Sequence, residues 1–169
     1  MNTVLNEQKH MLSMSKAILA DAPVLRNIAI SAFTDDEQYK PSWAKTGGPP
    51  EHDSIQKHKE WMQIHDYIKC EKEGEIVAGC IVKHKGKHGE IFGLFVKSDS
   101  MRQGIGSHLL QYVLSTNPKI ERWSLETPDY STRNHTFYEH NGFILVEKTD
   151  VEAALGFGFY KYEQQSNHI

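Results

Sequence analysis

From Tyr67 to Lys97 the chain reads "YIKCEKEGEIVAGCIVKHKGKHGEIFGLFVK", and its apolar residues recur at period two. Turn residues at Glu73-Gly74 and around Gly86 divide the run into three strands, which predicts an antiparallel meander. Directly after it comes "SDSMRQGIGSHLL", where Ile105, Leu109, Tyr112, Val113 and Thr116 repeat at helical spacing until Asn117-Pro118 stops the helix. A sheet of consecutive antiparallel strands that hands over to a helix through a glycine pair restricts the chain to a mixed α and β class.

The flanking segments fill in the order. "HMLSMS" (10–15) alternates as a first strand. "DAPVLRNIAISAF" follows as a helix with Asp21 as cap, Pro23 in the first turn, and Leu25, Ile28, Ala29, Ala32 and Phe33 on one face. Residues 34–53 contain "PSWAKTGGPP" and predict a long loop carrying Trp43. Asp53 or Ser54 then caps a helix presenting Ile55, Lys59, Met62 and Ile64. Beyond the glycine pair, "RWSLET" is a strand, 132–141 a short helix closed by Gly142, and "FILVEKTD" with "GFGFYKYE" a final hairpin. The predicted order is β-α-α-β-β-β-α-β-α-β-β.

At 169 residues and 38% hydrophobic content the expectation is one domain, 1–169, with no internal repeat. Lysine and arginine total 19 against 22 acidic residues, a net charge of -3 that gives no general attraction to phosphate backbones or anionic membranes. No apolar run approaches a membrane span, and "MNTVLNEQKH" lacks a signal-like stretch, so the expected compartment is the cytoplasm. Cys70 and Cys80 are expected to be reduced, buried small apolar residues.

The glycines in "MRQGIGS" stand where a helix begins. The first N–H groups of a helix lack intrahelical partners, and with the helix dipole they suit an anion. A phosphate-binding loop of the Gly-Lys-Ser/Thr type is excluded because Ser107-His108 follow Gly106; a dinucleotide fingerprint is excluded because Leu109 stands where the third glycine belongs. A turn with no ligand is the alternative.

Together with "NHTFYEHNGF" (134–143), this stretch resembles the GCN5-related N-acetyltransferase (GNAT) family, and the element order from residue 10 to 163 is similar as well. The resemblance implies an α/β/α layered α+β fold: a mixed, mostly antiparallel sheet of about seven strands flanked by four helices. It further implies acetyl-CoA as co-substrate. The pyrophosphate cradle maps onto Met101-Arg102-Gln103-Gly104-Ile105-Gly106 with Ser107, the pantetheine contacts onto Leu94, Phe95 and Val96 of an opened fourth strand, and the tyrosine near the thiol onto Tyr138. Met101 departs from the family's Arg or Gln, leaving Arg102 to supply charge. Ser131 stands near the family's asparagine, and Asn134 is the candidate cofactor contact.

The implied chemistry is direct attack of an amine on the thioester. A primary amine of pKa about 10.4 is almost wholly protonated at pH 7, and presenting it neutral costs roughly 4.6 kcal/mol unless a base takes the proton. Glu90, which opens the fourth strand and shares pleat parity with Phe92 and Leu94 until any bulge, is the first candidate base; Glu126 is the second. Backbone N–H groups over 93–96 would stabilise the oxyanion, and Tyr138 would protonate the departing thiolate. His84, His88, His135 and His140 form no ligand set with Cys or carboxylates, so no metal is expected.

The expected acceptor is a small-molecule amine, roofed by the 40–54 loop with Trp43 as an aromatic wall and by "ALGFGFY". Glu51, Asp53, Glu90 and Glu126 are candidates to line an acidic cleft. A peptide or protein N-terminus, and a non-catalytic acyl-CoA sensor on the same fold, are the alternatives. Neither nucleic acid nor membrane is an expected partner, and the antiparallel edges make a homodimer a candidate assembly.

Overall fold

The computed structural model describes residues 11–45 and 48–166. The strands are β1 (Leu12–Lys16), β2 (Asp66–Lys72), β3 (Glu75–Lys85), β4 (His88–Val96), β5 (Arg122–Pro128), β6 (Ile144–Lys148) and β7 (Phe159–Gln165). The helices are α1 (Ala22–Asp36), α2 (Ile55–Ile64), α3 (Ile105–Ser115) and α4 (Thr132–His140). The order is the one read from periodicity; His10, included in the first predicted strand, lies outside the described residues.

One seven-stranded sheet runs β1-β2-β3-β4-β5-β7-β6, antiparallel throughout except for the β4–β5 pair. Tight turns set the meander, with Glu73, Gly74 and Gly86 at positive φ. Helices cover both faces. On one, Leu25, Ile28, Ala29 and Ala32 of α1 and Trp61 and Met62 of α2 meet Tyr67, Ile81 and Phe95. On the other, Ile105, Leu109, Leu110 and Val113 of α3 and Tyr138 of α4 meet Cys70, Cys80, Val82, Trp123, Leu125 and Tyr162. This is the predicted α/β/α layering. Burial pushes the Cys80 thiol up to about 12, so it stays a neutral apolar filler.

Three local expectations are corrected. Asp21 does not cap α1: its carboxylate accepts from the Ile18 N–H at 2.9 Å and pairs with Lys69 Nζ at 2.9 Å. The helix also outruns the predicted loop start, continuing to Asp36 and then as a 3-10 turn through Glu37–Tyr39. In α2, Ser54 is the cap, its hydroxyl accepting from the Lys57 N–H at 3.1 Å. The buried stripe there is His58, Trp61 and Met62, while Ile64 is 69% exposed because the helix ends before it can turn inward. His58 is held at both ring nitrogens, 2.7 Å from the Tyr67 hydroxyl and 2.6 Å from the His52 carbonyl, which ties the loop before α2 to the sheet.

Candidate active site

The site originates where the sheet parts. β4 and β5 pair only over His88, Gly89 and Glu90 with Arg122, Trp123 and Ser124. Beyond them the two strands diverge, so from Ile91 onward β4 has no ladder partner on its β5 side. The β3–β4 register also slips, with Val82 opposite Ile91 and Ile81 opposite Gly93, leaving Phe92 as the extra residue of a bulge. Parity switches there. Glu90 and Phe92 share the α1–α2 face, whereas Leu94 and Val96 turn to the α3–α4 face, so the parity of Glu90 with Leu94 expected for a regular strand ends at Phe92. Phe95 turns its ring into the α1–α2 core and is not among the residues lining the opening.

A cleft of about 390 Å³ occupies the opening. Glu90, Gly93 and Leu94 form one wall, Glu126, Thr127 and Pro128 another, and Asn134 and Tyr138 of α4 reach in from the side. The structure thus collects five of the candidate site residues, Glu90, Leu94, Glu126, Asn134 and Tyr138, in one place. Glu51, Asp53 and Trp43 are not among the lining residues. Glu51 pairs with Lys57 at 3.5 Å, and Trp43 is 76% exposed; the aromatic walls are Phe33, Phe92, Phe157 and Phe159.

Tyr138 is 7% exposed, its ring packed against Phe137, Phe143 and Tyr162 at 5.1, 5.8 and 6.4 Å between centroids. Its hydroxyl has no hydrogen-bond partner among the described residues. Burial, and secondarily Cys80, push its pKa above the usual phenol value, so it is neutral and holds its proton at any physiological pH. Asn134 donates to Thr127 Oγ1 at 3.4 Å.

The two carboxylates differ. Glu126 pairs with Lys161 at 3.4 Å, and Lys161 also takes Glu147 at 3.4 Å. Glu90 makes no ion pair among the described residues: the lysine opposite it across the strands, Lys83, instead sits over the Phe92 ring at 3.8 Å. Glu90 is also close enough to His65 to oppose the lowering of that histidine's pKa by burial and by Lys83.

Next to the cleft is the N-terminus of α3. Gly104 is its cap residue at φ 76° and ψ 6°, Arg102 also lies at φ 66°, and no side chain caps the helix. Its first N–H groups are therefore turned outward beside Arg102, with Lys72 Nζ 2.8 Å from Gln103 Oε1. Met101 packs on the α1–α2 cluster, an apolar anchor for the loop. Gly106 has a further reason to be glycine: a Cβ there would lie 3.3 Å from the Phe137 ring and 3.5 Å from Val96. The cradle loop and the Tyr138 helix are thus in direct contact.

Residues 63–145 match the acetyltransferase (GNAT) domain family. Over that segment the chain is similar to the GNAT acetyltransferases. No curated protein sequence matches the chain. Solved GNAT structures are similar at low identity. The PaiA N-acetyltransferase of Thermoplasma acidophilum, in complex with coenzyme A, superposes with a TM-score of 0.76 at 16% identity, over 92% of this chain and 99% of that one. The ribosomal-protein-S18-alanine N-acetyltransferase of Escherichia coli gives 0.73 at 16% identity, over 92% and 94%. The ribosomal L7/L12 α-N-protein acetyltransferase RimL with coenzyme A gives 0.72 at 14%, over 91% and 93%. Among the described residues no helix is long and apolar enough to cross a membrane.

Sequence reasoning missed Asp36. It ends α1 and lines the cleft, 7% exposed, with Oδ2 accepting from the Ser131 hydroxyl at 2.5 Å and Oδ1 without a hydrogen-bond partner. Burial raises its pKa, opposed mainly by the Ser131 bond and Arg133. The only sequence signal was an aspartate on the apolar side of an amphipathic helix, one turn past Ala32.

Proposed function

We propose that the chain is an acetyl-CoA-dependent N-acetyltransferase acting on a primary amine, with a small molecule as acceptor. The observation carrying this is the opened β4–β5 seam: an unpaired backbone edge faces a cleft that also receives the unpartnered, neutral phenol of Tyr138. A pantetheine arm running along β4 satisfies that edge as an added strand would, over Leu94, Phe95 and Val96. Its pyrophosphate falls on the α3 N-terminus, at Arg102, Gln103, Gly104, Ile105, Gly106 and Ser107, where outward N–H groups and the helix dipole favour an anion. Asn134 contacts the arm from α4.

The acyl carbonyl lies at the bulge, where a β4 N–H stabilises the oxyanion. Glu90, free of an ion pair, takes the ammonium proton directly or through water; Glu126, held by Lys161, is the weaker base. Tyr138 donates a hydrogen bond to the departing thiolate and stabilises it; because a thiol of pKa near 8.5 is a stronger acid than a buried phenol, the sulfur leaves as the hydrogen-bonded anion and takes its proton from solvent on release. A cleft of about 390 Å³ is at the small-molecule end of binding-site volumes, which supports a compact acceptor over a protein terminus.

The test is thiol release from acetyl-CoA across a panel of small amines and an N-terminal peptide set. Tyr138→Phe and Glu90→Gln should each lower kcat by about 100-fold while acetyl-CoA still raises the melting temperature. Stabilisation by acetyl-CoA with no amine turned over would replace this reading with a sensor. Turnover of peptides alone would replace the small-molecule acceptor with a protein one.

A further inference from the structure

Glu90 stands opposite a cation with which it does not pair. Lys83 is its register partner across β3 and β4. Side chains directly opposite each other in an antiparallel pair share a face, with Cβ atoms about 5 Å apart, so a lysine–glutamate ion pair is within reach. Lys83 Nζ is found instead 3.8 Å from the centroid of the Phe92 ring. The bulge explains why that ring is there: Phe92 has no partner of its own on β3 and lies diagonal to Lys83, on the face it shares with Glu90. The buried Trp61 holds the ring edge-on, at 5.4 Å between centroids.

A cation over an aromatic ring and an exposed ion pair are of comparable strength, so the anchored ring decides which of the two Lys83 makes. The difference matters for a base. A cation in contact keeps a carboxylate ionised about 1–3 pH units further into acid and makes it a correspondingly weaker proton acceptor. The other charged groups around Glu90 are engaged elsewhere. Asp66 of β2 and His84 of β3 meet each other at 2.5 Å, His88 on the same strand meets the Ser124 hydroxyl at 2.6 Å, and Glu126 across the cleft is paired with Lys161. His65, at the end of α2, has its pKa lowered by burial and by Lys83 and is neutral at pH 7. Lys83 is therefore the cation whose position sets the field on Glu90.

We propose that Phe92 is a positioning residue for the proton acceptor: its ring holds the Lys83 ammonium out of contact with Glu90, so that the carboxylate meets the acceptor nitrogen without a competing ion pair. This deepens the proposed reaction and rests on Glu90 being its base. Phe92 then does more than wall the cleft, and Lys83, outside the cleft lining, is the group through which it acts.

The experiment titrates Glu90 by NMR of its carboxyl carbon, assigned by the signal's loss in Glu90→Gln, in the wild type, Lys83→Met, Phe92→Leu and the double variant. No ligand is needed. Phe92→Leu should lower the titration midpoint by about one pH unit, as Lys83 falls onto the carboxylate, and the double variant should cancel that shift. Lys83→Met alone should move the midpoint by no more than about 0.5 pH unit, the cation being already held on the ring. A rise of a full unit in Lys83→Met would mean that the ion pair exists in the wild type and overturns the proposal without recourse to Phe92→Leu, should that variant fail to fold. An unmoved midpoint in Phe92→Leu overturns it as well, and so does a shift that survives in the double variant, which would come from repacking rather than from Lys83. The acidic limb of kcat/KM, followed by thiol release from acetyl-CoA with the fastest amine of the panel above, should move with the titration. A limb that stays in place while the carboxyl titration moves would keep the Phe92–Lys83 device and discard Glu90 as the base.

Discussion

Alanine at each of the two cradle glycines should separate backbone geometry from packing. At Gly104 the obstacle is conformational: φ is 76°, and the nearest neighbour of an added Cβ is the His108 ring at 3.6 Å, so there is space but the left-handed backbone is strained for any L side chain. Holding alanine there costs about 1–2 kcal/mol. At Gly106 the conformation is ordinary helix, and alanine gains about 1 kcal/mol of propensity. Against that, the Phe137 ring at 3.3 Å must give by a few tenths of an ångström, and being only half-buried it can. The two contributions nearly cancel. Gly104→Ala should therefore lower the melting temperature by about 2–8 °C, and Gly106→Ala by no more than about 3 °C in either direction. Thermal melting with and without coenzyme A reads both effects. Coenzyme A stabilisation should shrink for Gly104→Ala, whose strained cap reorients the α3 N–H groups, and persist for Gly106→Ala. If Gly106→Ala is the more damaging for the free protein, the ring contact is rigid and the packing estimate is wrong; if it alone abolishes coenzyme A stabilisation, the second glycine serves the ligand rather than Phe137.

Two further predictions concern pH. His58 is buried and its pKa is lowered from 6.5, so the unfolded chain binds the proton more readily than the folded one; stability should be full above pH 6.5 and fall as pH drops below it, and His58→Gln should flatten that dependence in melts between pH 7 and 5. Asp36 behaves in the opposite sense. Its pKa is raised from 3.8, so its burial costs stability as pH rises through that range, and Asp36→Asn should match or exceed the wild type in melting temperature at pH 7. A lower melting temperature for Asp36→Asn would mean that the Ser131 and Arg133 contacts outweigh desolvation.

The layered fold was legible because each element carries its own period: the meander at two, α3 at 3.6, and turns at Glu73-Gly74 and Gly86 that admit positive φ. Tyr138 stood out through the resemblance of its segment, and Glu90 and Glu126 through their places at strand ends; the structure brings all three to one cleft. What did not show is everything that depends on register. The bulge at Phe92 reverses the parity of Leu94 and leaves no mark in "EIFGLFV", and the aromatic walls come from segments far apart in the chain, Phe33, Phe92, Phe157 and Phe159. Trp43 was prominent in a polar loop, yet a large exposed ring is no evidence of a wall without the contact that would bury it.

Asp36 was hidden for a related reason, and its position explains how one seam can organise the whole site. An aspartate among buried positions of a helix is ordinarily unfavourable, and the Ser131 hydroxyl together with Arg133 makes it tolerable. The Ser131 bond joins the end of α1 to the cap position of α4, where the Ser131 hydroxyl donates to Asp36 and accepts no helix N–H. The bond thus ties the α1 carboxylate to the helix that carries Tyr138. Ser131→Ala tests this directly: it removes one hydroxyl outside the reacting centre, yet it should loosen Asp36 and shift α4 together. The expected signature is a higher KM for the amine accompanied by a smaller, parallel loss in kcat; a loss of stability with both kinetic parameters intact would show that the tie serves folding alone.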